Sequence, residues 1–108
     1  PNVGRAYGAE GVLDFRPGFP VTANDAGRAA FAAQVAAEVA GGVDTETPPI
    51  MGGEDFSYML NARPGAFIFL GNGDSARLHH PEYDFDDALI PVGCSYWVRL
   101  VETAMPAA

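Results

Sequence analysis

Lysine is absent from this chain. All six basic residues among its 108 are arginine, and they face fourteen acids, for a net charge of −8 at pH 7. That balance repels phosphate backbones and anionic lipid, so no nucleic-acid partner and no membrane surface is expected. Cations, metal ions included, are the partners it favours. Cysteine occurs once, as Cys94, so no internal disulfide can form. Nothing therefore points to an oxidising compartment, and a cytoplasmic location is expected. No apolar run approaches the roughly 20 residues that cross a bilayer. The opening PNVGRAYGAE lacks the apolar stretch of a secretory signal. It starts with Pro1 rather than Met, which predicts either processing or a longer parent chain. Repeats and low-complexity tracts are also missing.

What is there reads as one domain. Hydrophobic residues make up 48% and charged residues 19%, a globular composition. A chain of this length can bury roughly two-thirds of its unfolded surface. Gly8–Phe15 reads as a strand through Val12, Leu13 and Phe15. Arg16-Pro17-Gly18 breaks it, and Pro20 holds Phe19 in an extended connector, the best boundary in the chain. A helix is expected over Ala26–Ala40. Asn24 or Asp25 can cap it, Phe31, Val35 and Val39 share its apolar face, and Gly41-Gly42 ends it. Val43–Thr47 reads as a short edge strand and Glu54–Leu60 as a short helix. Ala66–Leu70 is the strongest strand signal, an apolar run of the kind buried on both faces. A last helix is expected over Ala88–Ala104, capped by Asp86 or Asp87. Leu89, Val92, Tyr96, Leu100 and Thr103 form its stripe, flanked by Trp97, Val98 and Val101. Strand–helix alternation predicts an α/β layered architecture, with too few strands for a complete sheet.

Three places carry candidate chemistry. The loop from Gly71 to Asp87 is long, which in a small domain marks function or disorder, and it holds both histidines. His79 and His80 are neighbours, so in extended backbone they point apart and cannot share one metal. A loop histidine is more often a surface hydrogen-bonder than a ligand. Against that, the loop follows a buried strand, and Glu82, Asp84, Asp86 and Asp87 stand near as ligands or orienting partners. Gly52-Gly53-Glu54-Asp55-Phe56 reads either as an anion-holding helix start or as an ordinary glycine entry to a helix. Gly71-Asn72-Gly73-Asp74 lacks the lysine of a phosphate loop and reads as a turn. Cys94 is expected to be a buried structural thiol, and Trp97 and the phenylalanines to be core.

Taken in order, several strings resemble one family. They are Met51-Gly52-Gly53-Glu54-Asp55-Phe56-Ser57, Pro64-Gly65-Ala66-Phe67, Leu70-Gly71-Asn72-Gly73, Leu78-His79-His80-Pro81, Phe85-Asp86 and Leu89-Ile90-Pro91-Val92-Gly93. Asp14-Phe15-Arg16-Pro17-Gly18-Phe19-Pro20 and Asn24-Asp25 fit as well. The set, over residues 8 to 102, is similar to the C-terminal part of the metal-dependent amidohydrolases. Hippurate hydrolase, N-acyl-L-amino acid amidohydrolases and auxin-conjugate hydrolases belong there, within the aminoacylase and carboxypeptidase group of dinuclear metallopeptidases.

The resemblance implies a partial α/β catalytic domain: a zinc-exopeptidase-like mixed sheet flanked by helices, its N-terminal half absent. Residues 1–19 would be the last strand and return segment of a lid domain, and 20–108 the C-terminal portion of the catalytic domain. Two divalent ions, zinc first and manganese or nickel next, would activate a water against the amide of an N-acyl amino acid. His79, in the Leu-His-x-Pro motif, would ligate metal, and His80 fills the variable position. Gly53 and Glu54 would lie at the substrate pocket or just behind it. The general base and the remaining ligands would lie in the missing half, and a homodimer would form through the missing lid. Such a segment alone should not turn over, and it should expose a sheet edge and apolar surface. The rival expectation is a non-catalytic binding or assembly module, or half of a split enzyme. Tight, chelator-sensitive metal binding through His79 separates the two.

Overall fold

Two of the expected helices form where the pattern puts them, and they pack on each other. The computed structural model describes residues 2–106, so Pro1 and the last two alanines of the expected domain ranges lie outside it. The helices are α1 (Asn2–Ala6), α2 (Ala26–Ala40), α3 (Phe56–Ala62) and α4 (Leu89–Ala104). Asp25 starts α2, its carboxylate accepting the Arg28 N–H at 2.9 Å. Gly41 ends it at φ 72°, donating its N–H to the Ala37 carbonyl. That left-handed turn suits glycine, which has no Cβ to clash. Pro91 sits in the first turn of α4, where no helical N–H partner is lost.

Among the described residues, α2 and α4 are the only helices in mutual contact. The expected α4 stripe is the covered one. Tyr96 is buried, and Leu89, Val92, Leu100 and Thr103 are half-buried. On α2, Val35 has no exposure, with Ala32 buried beside it and Phe31 and Val39 half-buried. Burial pushes the Tyr96 phenol upward in pKa by desolvating its charged form. Arg99 ties the pair together through Nε, 2.8 Å from Glu38 Oε2.

That contact carries a pH signature. The Arg99 hydrogen bond, then a second from Gln34, holds the Glu38 carboxyl below the ordinary glutamate range. A lowered folded-state pKa means the folded form prefers the carboxylate. Its stabilisation is complete above the ordinary value of about 4.3 and fades as pH falls through the lowered value. Glu38→Gln should therefore match the unmodified protein under acid conditions and fall below it toward neutrality, in urea unfolding followed against pH. Both side chains are solvent-exposed, so added salt should narrow the difference.

The expected mixed sheet does not form among the described residues, where no strand is present. Gly8–Phe15 is preceded by α1 and a turn at Gly8 (φ 70°), and Val12, Leu13 and Phe15 stand in solvent. Val43–Thr47 is likewise exposed and unpaired. Ala66–Leu70 has no neighbouring strand, and Phe69 and Leu70 remain 64% and 49% exposed rather than buried on both faces. The reason is simple: an apolar run specifies extended backbone, but a strand exists only through a partner's amides. What the run does have is a side-chain partner. The Asn24 amide donates to the Phe67 carbonyl at 2.9 Å and accepts the Phe67 N–H at 2.7 Å. Next to it, the Asp25 N–H reaches the Gly65 carbonyl at 3.0 Å.

Two expectations about core residues also fail. Cys94 is exposed, and Trp97 is 62% exposed. Both lie off the 89–92–96–100 stripe. Adjacency in sequence to apolar residues therefore said nothing about the face each occupies. Phe15, Phe19, Phe69 and Phe85 are exposed too, and only Phe31, Phe56 and Phe67 are half-buried. The radius of gyration is 20.1 Å, against about 13 Å for a compact domain of 100 residues. The apolar exposure expected of a segment is present.

Candidate functional site

α3 and its approach form the first half of the candidate site. Gly53 packs against the connector, because a Cβ placed there would meet the Phe19 ring at 2.7 Å. The same ring meets Tyr58 edge-on, with centroids 6.1 Å apart. Only glycine admits the ring so close to the backbone. The 16–20 boundary segment is thereby docked onto the Gly-Gly-Glu-Asp-Phe entry. Glu54 is half-buried. Its Oε1 accepts the Phe56 N–H at 3.0 Å, and its carbonyl accepts the Ser57 hydroxyl at 2.6 Å. Ser57 is completely buried. The Tyr58 N–H bonds to the Asp55 carbonyl. The N–H groups of Phe56, Ser57 and Tyr58, the first of the helix, are thus already bonded within the segment. The helix entry is the observed role. Behind it, Phe56 leans on Phe67 and Phe67 on Phe69, with centroids 5.6 and 5.2 Å apart.

The loop after Leu70 is the second half. Gly73 turns at φ 73°, and the Ser75 N–H bonds back to its carbonyl, so Gly71-Asn72-Gly73-Asp74 is the turn that was expected. His79 is the one non-glycine residue in the described chain with positive φ, at 68°. A β-carbon in that region costs of order 1 kcal/mol, and such residues gather at functional sites. Among the described residues, no hydrogen bond engages the exposed His79 side chain. His80 behaves differently. Its Nδ1 accepts the Glu82 N–H at 3.1 Å, and its backbone closes turns to Arg77 and Tyr83. The two histidines sit together in one turn, closed by the His80 N–H on the Arg77 carbonyl, not in the extended backbone expected. Their roles still diverge: His80 holds the loop together and His79 faces outward.

A divalent metal was expected here, and the donor set fits it in part. An unengaged imidazole is a good ligand for zinc, manganese or nickel. A zinc site needs three or four protein ligands or a water in the open position. Among the described residues, no three His, Cys, Asp or Glu side chains converge. Glu82, Asp84, Asp86 and Asp87 gather no such group with His79. Asp86 Oδ1 instead accepts the Ala88 N–H at 2.9 Å in the turn before α4; neither Asp86 nor Asp87 is the expected cap, since the N-cap is Ala88 with no side-chain bond. The described chain thus offers one donor of a centre, not a centre.

Sequence reasoning missed Asn72. Its amide Nδ2 donates to the Asp84 carbonyl at 2.7 Å and to Ser75 Oγ at 2.9 Å, while Oδ1 accepts the Asp86 N–H at 2.9 Å. The only signal was an asparagine between two glycines at the end of an apolar run. Nothing in the sequence announces partners twelve and fourteen positions away.

The profile of Peptidase family M20/M25/M40 matches residues 9–103, and the chain belongs to that family. Among its relatives, an IAA-amino acid hydrolase ILR1-like 4 from Arabidopsis thaliana is 36% identical over 86 residues, covering 74% of this chain and 20% of the relative. Hippurate hydrolase from Campylobacter jejuni is 35% identical over 83 residues, covering 75% and 22%. N-acetylcysteine deacetylase from Bacillus subtilis is 30% identical over 98 residues, covering 91% and 26%. The chain therefore spans only a fifth to about a quarter of the length of these relatives. No solved structure matches it significantly. No helix among the described residues is long and apolar enough to cross a membrane.

Proposed function

We propose that this chain is the C-terminal catalytic-domain segment of a metal-dependent amidohydrolase. The complete enzyme would hydrolyse the amide bond of N-acyl amino acids of the hippurate type, releasing a carboxylic acid and an amino acid. The observation that carries the reading is the family match across residues 9–103. Relatives named for hippurate, IAA-amino acid and N-acetylcysteine substrates give it direction. Residues 1–19 are read as the return from a lid domain and 20–108 as the catalytic portion of an α/β fold. Phe19, wedged between Gly53 and Tyr58, supports a boundary at that point.

In this reading His79 is one ligand of a two-metal centre, zinc before manganese or nickel. A bound divalent ion lowers the pKa of its water and polarises the amide carbonyl. The task of His79 is to present a neutral imidazole from a fixed backbone. Its second ring nitrogen takes an orienting partner from outside this segment. Glu54 keeps one carboxylate oxygen beyond the Phe56 bond, and that oxygen can face a ligand-bound water or the substrate at the pocket edge. Gly53 would serve the pocket by letting Phe19 close over the segment that carries Glu54. The general base and the other ligands come from the rest of the enzyme. The complete protein should release benzoate from hippurate, lose that activity to a chelator, and regain it with zinc. Chelator-insensitive hydrolysis, or no hydrolysis across a panel of N-acyl amino acids, would sink the proposal.

A further inference from the structure

The loop from Gly71 to Asp87 has almost no repetitive backbone bonding, yet its two ends meet at one side chain. Asn72 uses both amide hydrogens and its carbonyl oxygen to join residues 75, 84 and 86. It is half-buried, while most of the loop around it is exposed. Inside the clamp, the Arg77–His80 and His80–Tyr83 turns and the His80–Glu82 bond shape the tip. His79 sits within that tip in its left-handed conformation. From Asn72 to Asp86 the chain falls within the roughly 6 to 16 residues of a compact loop whose ends are close. Here the neck is a single amide.

We infer that Asn72 is the positioning residue for His79: by closing the neck of the loop, it holds the imidazole where a metal can use it. This rests on His79 being a metal ligand, as proposed above. Asn72 touches no metal and acts through the backbone. The chemistry requires asparagine in particular. Aspartate keeps the acceptor for the Asp86 N–H but loses both donors, and it sets a carboxylate against the Asp84 carbonyl. Alanine loses all three bonds.

The test uses the complete enzyme, with zinc affinity measured by chelator competition. It is paired with hydrogen exchange over residues 84–88 and with thermal unfolding. In Asn72→Ala, exchange at Asp86 should rise, and zinc affinity should fall about 10- to 100-fold, as for other groups that orient a ligand. Asn72→Asp, which keeps only the acceptor for the Asp86 N–H, should protect Asp86 better than the alanine variant yet still lose zinc affinity, and it decides the matter should the alanine variant not fold. A merely structural role would lower the unfolding temperature and leave the zinc affinity of the folded protein unchanged; that result overturns the inference. So does unchanged exchange at Asp86, because the neck would then not depend on the amide. His79→Ala is the control for the parent reading. If it binds zinc normally, the ligand assignment itself fails. If it loses zinc while Asn72→Ala does not, only the positioning role fails.

Discussion

In the complete enzyme, with His79 a metal ligand as proposed, His79→Gly should bind its metal and turn over substrate at least about 10- to 100-fold less well, since even groups that only orient a ligand cost that much, while folding at least as stably. The opposite signs come from the backbone. At φ 68° a β-carbon costs about 1–2 kcal/mol, and glycine avoids that cost. The freer unfolded chain of glycine returns roughly 0.5–1 kcal/mol of it. The balance favours the variant or leaves it even. No bond among the described residues is lost with the imidazole. His79→Ala separates the effects, since it loses the ring but keeps the strain. Metal content, kcat and urea unfolding of both variants check this. Full activity in the glycine variant would remove His79 from the centre.

The second large effect lies in the helix pair. Val35→Ala should destabilise the protein by about 2 kcal/mol, the scale of a fully buried valine side chain plus the cavity it leaves. Val35 has no exposure, and it lies on α2, which packs against α4, where Tyr96 is the buried residue. Val39→Ala, one turn further and half-buried, should cost less than half as much. Urea unfolding of the two variants gives the comparison. Equal losses would mean that the seam does not centre on Val35.

Helices were legible in this sequence because the bonds that make them are local. The bounds of α2 follow from Asp25, the four-residue spacing of its apolar face, and Gly41. The stripe of α4 follows from the same period. α3 begins two residues later than expected because Glu54 and Asp55 serve its entry rather than its first turn. Strands were not legible in the same sense. Ala66–Leu70 has strand composition, but pairing is a property of two segments, and the described residues supply no second one. The same limit hid the candidate site. The motif and loop singled out His79, and the structure adds its left-handed backbone. The role of Asn72 was not, because its hydrogen bonds close over distances that no local pattern records. Cys94 and Trp97 were misplaced by reading neighbours instead of helical faces.

The contact between Asn24 and Phe67 also fixes a parity. In a pleated run, alternate residues turn their peptide groups to opposite edges. The edge carrying Gly65 and Phe67 is already met by the Asp25 amide and the Asn24 side chain. A strand added at this stretch must therefore bond through Ala66, Ile68 and Leu70, on the far edge. One asparagine chooses which side of the segment is open to a neighbour, and a register shifted by a single residue would find its hydrogen-bonding groups spoken for.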